Sequence, residues 1–138
     1  MNIKIVEEPS QALVAAIEQQ LSGESKSSIT TIHTTGDEAV FKVSYMAASI
    51  DEEPAGIALI RSAGVSTVEL HKLVVLSRFR RSGVGTALFL SLADRCRREG
   101  LKSIVIDPTN DSENFWEKAL KGLTFEVYDH NGVIDITL

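Results

Sequence analysis

A chain of 138 residues with 43% hydrophobic content can bury one core but not two sizeable ones, so a single domain spanning 1–138 is expected. Its one cysteine, Cys96, excludes an internal disulfide framework, and three scattered histidines, His33, His71 and His130, offer no metal-ligand spacing. A net charge of −5, short apolar runs and an N-terminus without a basic stretch ahead of an apolar one predict a cytoplasmic, metal-free protein, and argue against a signal peptide, a membrane span or a nucleic-acid partner.

Asn2 to Val6 alternates and reads as a strand. Leu13, Ile17 and Leu21 then recur at helical spacing, with Pro9 and Ser10 as start signals and Gly23 as a stop. Gly23 to Ser28 is small and polar, a loop, and Ile29 to His33 reads as a short strand. Ala39 to Ala47 and Ala55 to Arg61 are strands separated by Asp51-Glu52-Glu53-Pro54, and Ala63-Gly64 turns the chain into another, Val65 to Leu76, completing an antiparallel meander. Val84, Leu88, Leu92 and Cys96 form one helical stripe that ends at Gly100. Ser103 to Asp107 is β-branched, as in a buried strand, and a strand–helix–strand passage of this length is a parallel crossover. Asp111 or Ser112 can cap a further helix to about Leu120, closed by Gly122, and Leu123 to Tyr128 with Val133 to Leu138 reads as a hairpin around His130-Asn131-Gly132. These elements predict an α/β (α+β) fold around a mixed central sheet of about six to seven strands.

Between the third meander strand and the helical stripe lies Arg80-Arg81-Ser82-Gly83-Val84-Gly85. Free N–H groups at a helix start, the helix dipole and adjacent arginines suit a phosphate, and the glycines permit close backbone approach. No lysine follows Gly85, which excludes a Walker loop. Asp107 falls in the range for the acidic residue of a dinucleotide fingerprint, but Leu88 fills the place of the third glycine. Residues 72–102 carry a net charge of +6 and the remainder −11, which predicts a positive field at the loop and an acidic remainder that attracts a cationic partner. Arginines late in the helix, Arg97 and Arg98, also complement its dipole.

The segment from Val68 to Gly100 resembles the GNAT acetyltransferase superfamily, whose signature Arg/Gln-x-x-Gly-x-Gly/Ala is filled here by Arg80, Gly83 and Gly85. The resemblance implies acetyl-CoA as co-substrate. Its pyrophosphate would meet the backbone of Arg81, Ser82, Gly83, Val84, Gly85 and Thr86, and its pantetheine arm would pair with the strand backbone at Leu73, Val74 and Val75.

Acetyl transfer to an amine needs a neutral amine, stabilisation of charge on the carbonyl oxygen and an acceptable leaving group. Glu69, fourteen residues before Gly83, matches the basic glutamate of the histone-acetyltransferase branch, and unbroken alternation places it on one strand face with His71, Leu73 and Val75. His71 is the second candidate base; the plain alternative is that both are strand residues on a solvated face. In the family a backbone N–H of the same strand serves the oxyanion, here near Leu73 to Val75.

After the crossover the family carries Asn-x-x-Ala-x-x-Phe-Tyr-x-Lys-x-Gly-Phe, with the tyrosine as general acid. This chain has Trp116 at the tyrosine position, Asn110 one place closer and two extra residues before Gly122. Indole does not serve as an acid, so either the thiolate leaves unprotonated, or another group serves, or the chain is a non-catalytic acyl-CoA-binding sensor. The leading expectation is an N-acetyltransferase for a cationic amine, whether small amine, polyamine, protein lysine or N-terminus. Asp51, Glu52 and Glu53 are candidates for the acceptor's approach, and the last strand, Val133 to Leu138, is either exposed and free to pair in a homodimer or covered.

Overall fold

The computed structural model describes residues 2–22, 43–108, 112–128 and 132–138. Among them the chain forms strands β1 (Ile3–Val6), β2 (Val43–Ile50), β3 (Glu53–Ser62), β4 (Thr67–Val75), β5 (Ser103–Ile106), β6 (Thr124–Val127) and β7 (Ile134–Thr137). The helices are α1 (Gln11–Ser22), α2 (Val84–Arg98) and α3 (Glu113–Ala119), with a 3₁₀ turn at Ser77–Phe79. The proposed strand Ile29–His33, the Gly23 stop, Asp111 and the His130-Asn131 turn lie outside the described residues.

One seven-stranded sheet runs in the order β1-β2-β3-β4-β5-β7-β6, antiparallel throughout except for the parallel β4–β5 pair made by the α2 crossover. The expected meander is β2-β3-β4. Its first turn is tighter than the four-residue connection read from the sequence: only Asp51 and Glu52 bridge Ile50 and Glu53, and both take left-handed backbone, at φ 49° and 72°, as a two-residue hairpin turn demands. The hairpin at the other end takes the second of the two expected arrangements, with the last strand covered. β7, the last strand, lies inside the sheet between β5 and β6, so the edge belongs to β6, all four of whose residues are exposed.

Two apolar layers hold the sheet. Val14, Ile17 and Leu21 of α1 pack on one face against Ala47, Ile57, Val74 and Leu76. The other face carries the larger core, where Leu88, Phe89, Leu92 and Cys96 of α2 and Trp116, Ala119 and Leu120 of α3 cover Met46, Ile60, Leu70, Ile104 and Ile136. The helix ends follow the sequence signals. Ser10 Oγ accepts the Leu13 N–H at 3.2 Å, and Gly100 at φ 77° closes α2 with two reverse bonds, Leu101 N–H to Cys96 O at 2.9 Å and Gly100 N–H to Arg97 O at 3.1 Å. No described helix is long and apolar enough to cross a membrane.

Phe89 is fully buried and meets Trp116 edge to face, with ring centroids 5.4 Å apart, at the join of the two helices covering the larger core. Phe89→Ala should cost about 3–5 kcal/mol in a denaturant titration, combining lost transfer energy with a cavity. Cys96 sits in the same layer, and burial, reinforced by the charge of Glu99, pushes its thiol up to about 11. At pH near 8 a disulfide-exchange reagent should leave the native protein unmodified, and Cys96 should react only as denaturant unfolds the chain.

Candidate active site

The register of β4 against β3 decides where its side chains point. The strands pair one to one from Ser62↔Val68 to Ile60↔Leu70 and again from Leu59↔Lys72 to Gly56↔Val75, which leaves His71 unmatched as the extra residue of a β-bulge. One inserted residue exchanges the faces on which later side chains emerge. Val68 and Leu70 before the bulge, and Leu73 and Val75 after it, pack into the larger core, whereas Val74 and Leu76 join the α1 layer. Glu69 therefore shares a face with His71 and Val74. The expected common face with Leu73 and Val75 is corrected by the bulge.

Glu69 has two partners on that face. Arg61, directly opposite on β3, donates from Nη2 to both carboxylate oxygens, at 3.1 Å to Oε1 and 2.9 Å to Oε2. His71 Nδ1 lies 3.3 Å from Oε1. The Arg61 side chain is 19% exposed and those of Glu69 and His71 26% each, so the cluster is largely shielded from solvent. Sequence reasoning missed Arg61; its signal was a hairpin turn at Ala63-Gly64 that sets it across from Glu69.

The same row continues across the sheet: Glu69 is in register with Val105, Val105 with Asp135, and Asp135 with Glu126. Two carboxylates thus stand directly opposite each other on β7 and β6, an arrangement that costs stability without a cation between them. Tyr128 donates its hydroxyl to Asp135 Oδ2 at 3.4 Å, and the nearby charge of Asp135, with lesser contributions from burial and Glu126, raises the phenol above its ordinary range.

β4 and β5 pair over four residues only, from Thr67↔Ser103 to Leu70↔Ile106. From His71 to Val75 the β5-facing side of the β4 backbone has no strand partner among the described residues. The wedge between the two strands runs toward the loop that starts α2. There Arg81 takes left-handed backbone at φ 66° and Gly83 at φ 88°, the second a conformation that a side chain would strain. Ser82 Oγ donates to the Phe79 carbonyl and ties the loop to the 3₁₀ turn. No described side chain caps α2, so the N–H groups of Val84, Gly85 and Thr86 lack helical acceptors and face a site flanked by Arg80 and Arg81.

Several of the candidate residues also make contacts within the fold. The Val84 side chain is buried in the larger core, leaving only its backbone for a ligand. Gly85 is buried, and a Cβ there would lie 2.9 Å from the Phe115 ring, so this glycine makes room for α3. Arg80 donates from Nε to the Val75 carbonyl at 3.2 Å. Trp116 is 6% exposed and packs edge to face on Phe89 and Phe115. Asn110 lies outside the described residues.

The positive field is also more local than the charge count suggested. Arg95 pairs with Glu99 at 3.0 Å, and Arg98 with Glu7 at 3.0 Å and Asp94 at 3.3 Å, at the far end of a helix about 22 Å long. Arg78 meets Glu53 at 3.4 Å and lies over the Phe79 ring. That pairing places the Asp51–Glu53 turn beside the loop, while Glu69 faces Arg61 near the other end of β3, so the turn does not adjoin the Glu69 cluster.

These features agree with comparisons to known proteins. The sequence profile of the Acetyltransferase (GNAT) family matches residues 17–121. The fold superposes on an acetyltransferase of the GNAT family from Staphylococcus aureus with a TM-score of 0.73 at 12% identity, covering 99% of both chains. The PaiA N-acetyltransferase from Thermoplasma acidophilum, solved in complex with coenzyme A, gives 0.65 at 14% identity over 99% of this chain and 98% of the other. The IAA acetyltransferase from Bacillus cereus gives 0.68 at 14% over 99% and 100%. A sequence search of curated proteins gives no match. With a parallel crossover, a strand wedge and an uncapped glycine-loop helix matched by the family profile over most of its length, the chain belongs to the GNAT acetyltransferase family and is an N-acetyltransferase that uses acetyl-CoA.

Proposed function

We propose that the protein moves an acetyl group from acetyl-CoA directly to a primary amine on a cationic acceptor, with both substrates bound at once. The observation that carries this reading is the β4–β5 wedge ending at the uncapped start of α2. Backbone N–H groups from Arg81 to Thr86 hold the pyrophosphate, with Arg80 and Arg81 adding positive charge. The free β4 edge at Leu73 to Val75 pairs with the pantetheine amides, and a backbone N–H there stabilises charge on the acetyl oxygen. Trp116 supports the site from below by packing on Phe115, which in turn fills the space over Gly85. The sulfur leaves as a thiolate, at modest cost for a thiol with a pKa of about 8.5.

The acceptor's charge is read from the opposite face of the sheet. Asp135 and Glu126 continue the row of Glu69, and a second positive charge on the acceptor relieves their mutual repulsion. Diamines, polyamines and lysine-bearing peptides fit this pattern better than neutral amines. The proton of the attacking amine is removed at the Glu69–His71 pair.

Calorimetry with acetyl-CoA tests the loop. Gly83→Asp places a negative charge and a strained side chain at the phosphate site, and binding should fall by about 100-fold or more with the circular dichroism spectrum unchanged. Unchanged affinity would overturn the assignment. Arg80→Ala should lose less, and the loss should shrink when the salt is raised to about 1 M.

Thiol release measured over a panel of amines tests the acceptor class. Asp135→Asn and Glu126→Gln should each raise KM for diamines up to about tenfold while kcat holds, the pattern of lost uniform binding. Tight acetyl-CoA binding with no thiol released for any amine would refute the transfer.

A further inference from the structure

We propose that His71, rather than Glu69, takes the proton from the acceptor amine, with Glu69 and Arg61 as its positioning residues; the inference rests on the amine-acetylation reading above. Glu69 is already engaged as an acceptor: Oε2 receives Arg61 Nη2 at 2.9 Å, and Oε1 receives the same nitrogen at 3.1 Å with His71 Nδ1 at 3.3 Å. A proton placed on this carboxylate would remove the anion that receives two hydrogen bonds from a guanidinium only 19% exposed. A proton placed on His71 sets a new positive charge beside an anion instead.

The geometry also fixes which imidazole nitrogen is available. An ionised carboxylate only accepts hydrogen bonds, so the nitrogen that bonds to Glu69 must carry the hydrogen. Nδ1 makes that contact, and the neutral ring therefore presents its lone pair at Nε2. Arg61 holds Glu69, Glu69 orients the ring, and the ring accepts the proton, the division of labour seen whenever a carboxylate orients a histidine base.

Placement supports the role. His71 follows Leu70, the last β4 residue paired with β5, and it is the bulged residue that the β3 register skips. The bulge thus sets the imidazole where the strands part, two residues before the Leu73–Val75 edge. By register, the charged groups along this row are Arg61 on β3, Glu69 and, by alternation after the bulge, Lys72 on β4, then Asp135 on β7 and Glu126 on β6.

The step balances as follows. His71 Nε2 takes one proton from the acceptor's ammonium group, and the freed nitrogen lone pair forms a bond to the acetyl carbon. The carbon–sulfur bond breaks with its electron pair on sulfur, a second nitrogen proton passes to the thiolate, and the third stays on the product amide. His71 then returns its proton to water.

Nitrogen-15 NMR of the imidazole, recorded on the full chain without acetyl-CoA, should show hydrogen on Nδ1 in the wild type and a mixture of the two neutral forms in Glu69→Ala. Arg61→Lys should keep the wild-type signature and Arg61→Ala should lose it. In thiol-release assays His71→Gln should lower kcat by about 100-fold or more with KM for acetyl-CoA unchanged. Added imidazole should restore part of the activity of His71→Ala and none of that of Glu69→Ala. A wild-type ring with hydrogen on Nε2 overturns the inference whether or not the protein turns over, and so does wild-type kcat in His71→Gln. If the ring carries hydrogen on Nδ1 yet no amine yields thiol, the transfer reading fails and the base assignment falls with it, while the Arg61–Glu69–His71 contact stands.

Discussion

Parallel strands are joined by evenly spaced, slanted hydrogen bonds, and β4 and β5 sustain them for only four residue pairs before their paths separate. The functional geometry depends on that early parting. It leaves a stretch of backbone inside the sheet with donors and acceptors on one side that no described strand engages. A ligand with its own amide groups can complete the missing ladder. The crossover helix starts at Val84, with residues 76–83 between it and the end of β4 at Val75, yet its first turn lies against Val75, so the unpaired strand edge and the uncapped helix start come from one continuous segment of chain.

That segment was legible in the sequence because its signals are local. A β-branched run, two glycines and a four-residue apolar stripe closed by Gly100 announce strand, loop and helix without reference to anything distant. The bulge at His71 has no such mark. Neither glycine nor proline flags it, and it exists only as a mismatch between two strands, so alternation carried past it assigned Leu73 and Val75 to the wrong face. Arg61 was hidden for a related reason, since its meaning comes from being opposite Glu69. The tight Asp51–Glu52 turn escaped because both central residues bear side chains, whereas hairpins of this type favour glycine and asparagine. The order of the last two strands was likewise unreadable: a hairpin looks the same from either side, and only Ile104 and Ile106 lying against Ile136 and Ile134 put β7 inside.

Charge behaves differently in the fold from its distribution along the chain. Of the basic residues of 72–102, Arg95 and Arg98 are paired with acids at the C-terminal end of α2 while Arg80 and Arg81 lie exposed at its start, so the field at the loop comes chiefly from these two together with the helix dipole. Three of the acids form a row. Glu69, Asp135 and Glu126 come from three separate strands and share a face only because every β4–β5–β7–β6 register keeps odd residues of β5 and β7 turned from the larger core.

The contact between Gly85 and Phe115 ties together two elements that no backbone pairing joins. A ring from α3 occupies the volume that a side chain on the first turn of α2 would need, with only 2.9 Å to spare for a Cβ. The two positions therefore share one allotment of space, and their sizes are inversely coupled: a methyl group at 85 becomes admissible when the aromatic ring at 115 is traded for something narrower. Sequence drift in this fold is constrained as a pair at these sites, and a lineage that enlarges one without shrinking the other tilts α3 away from the uncapped start of α2.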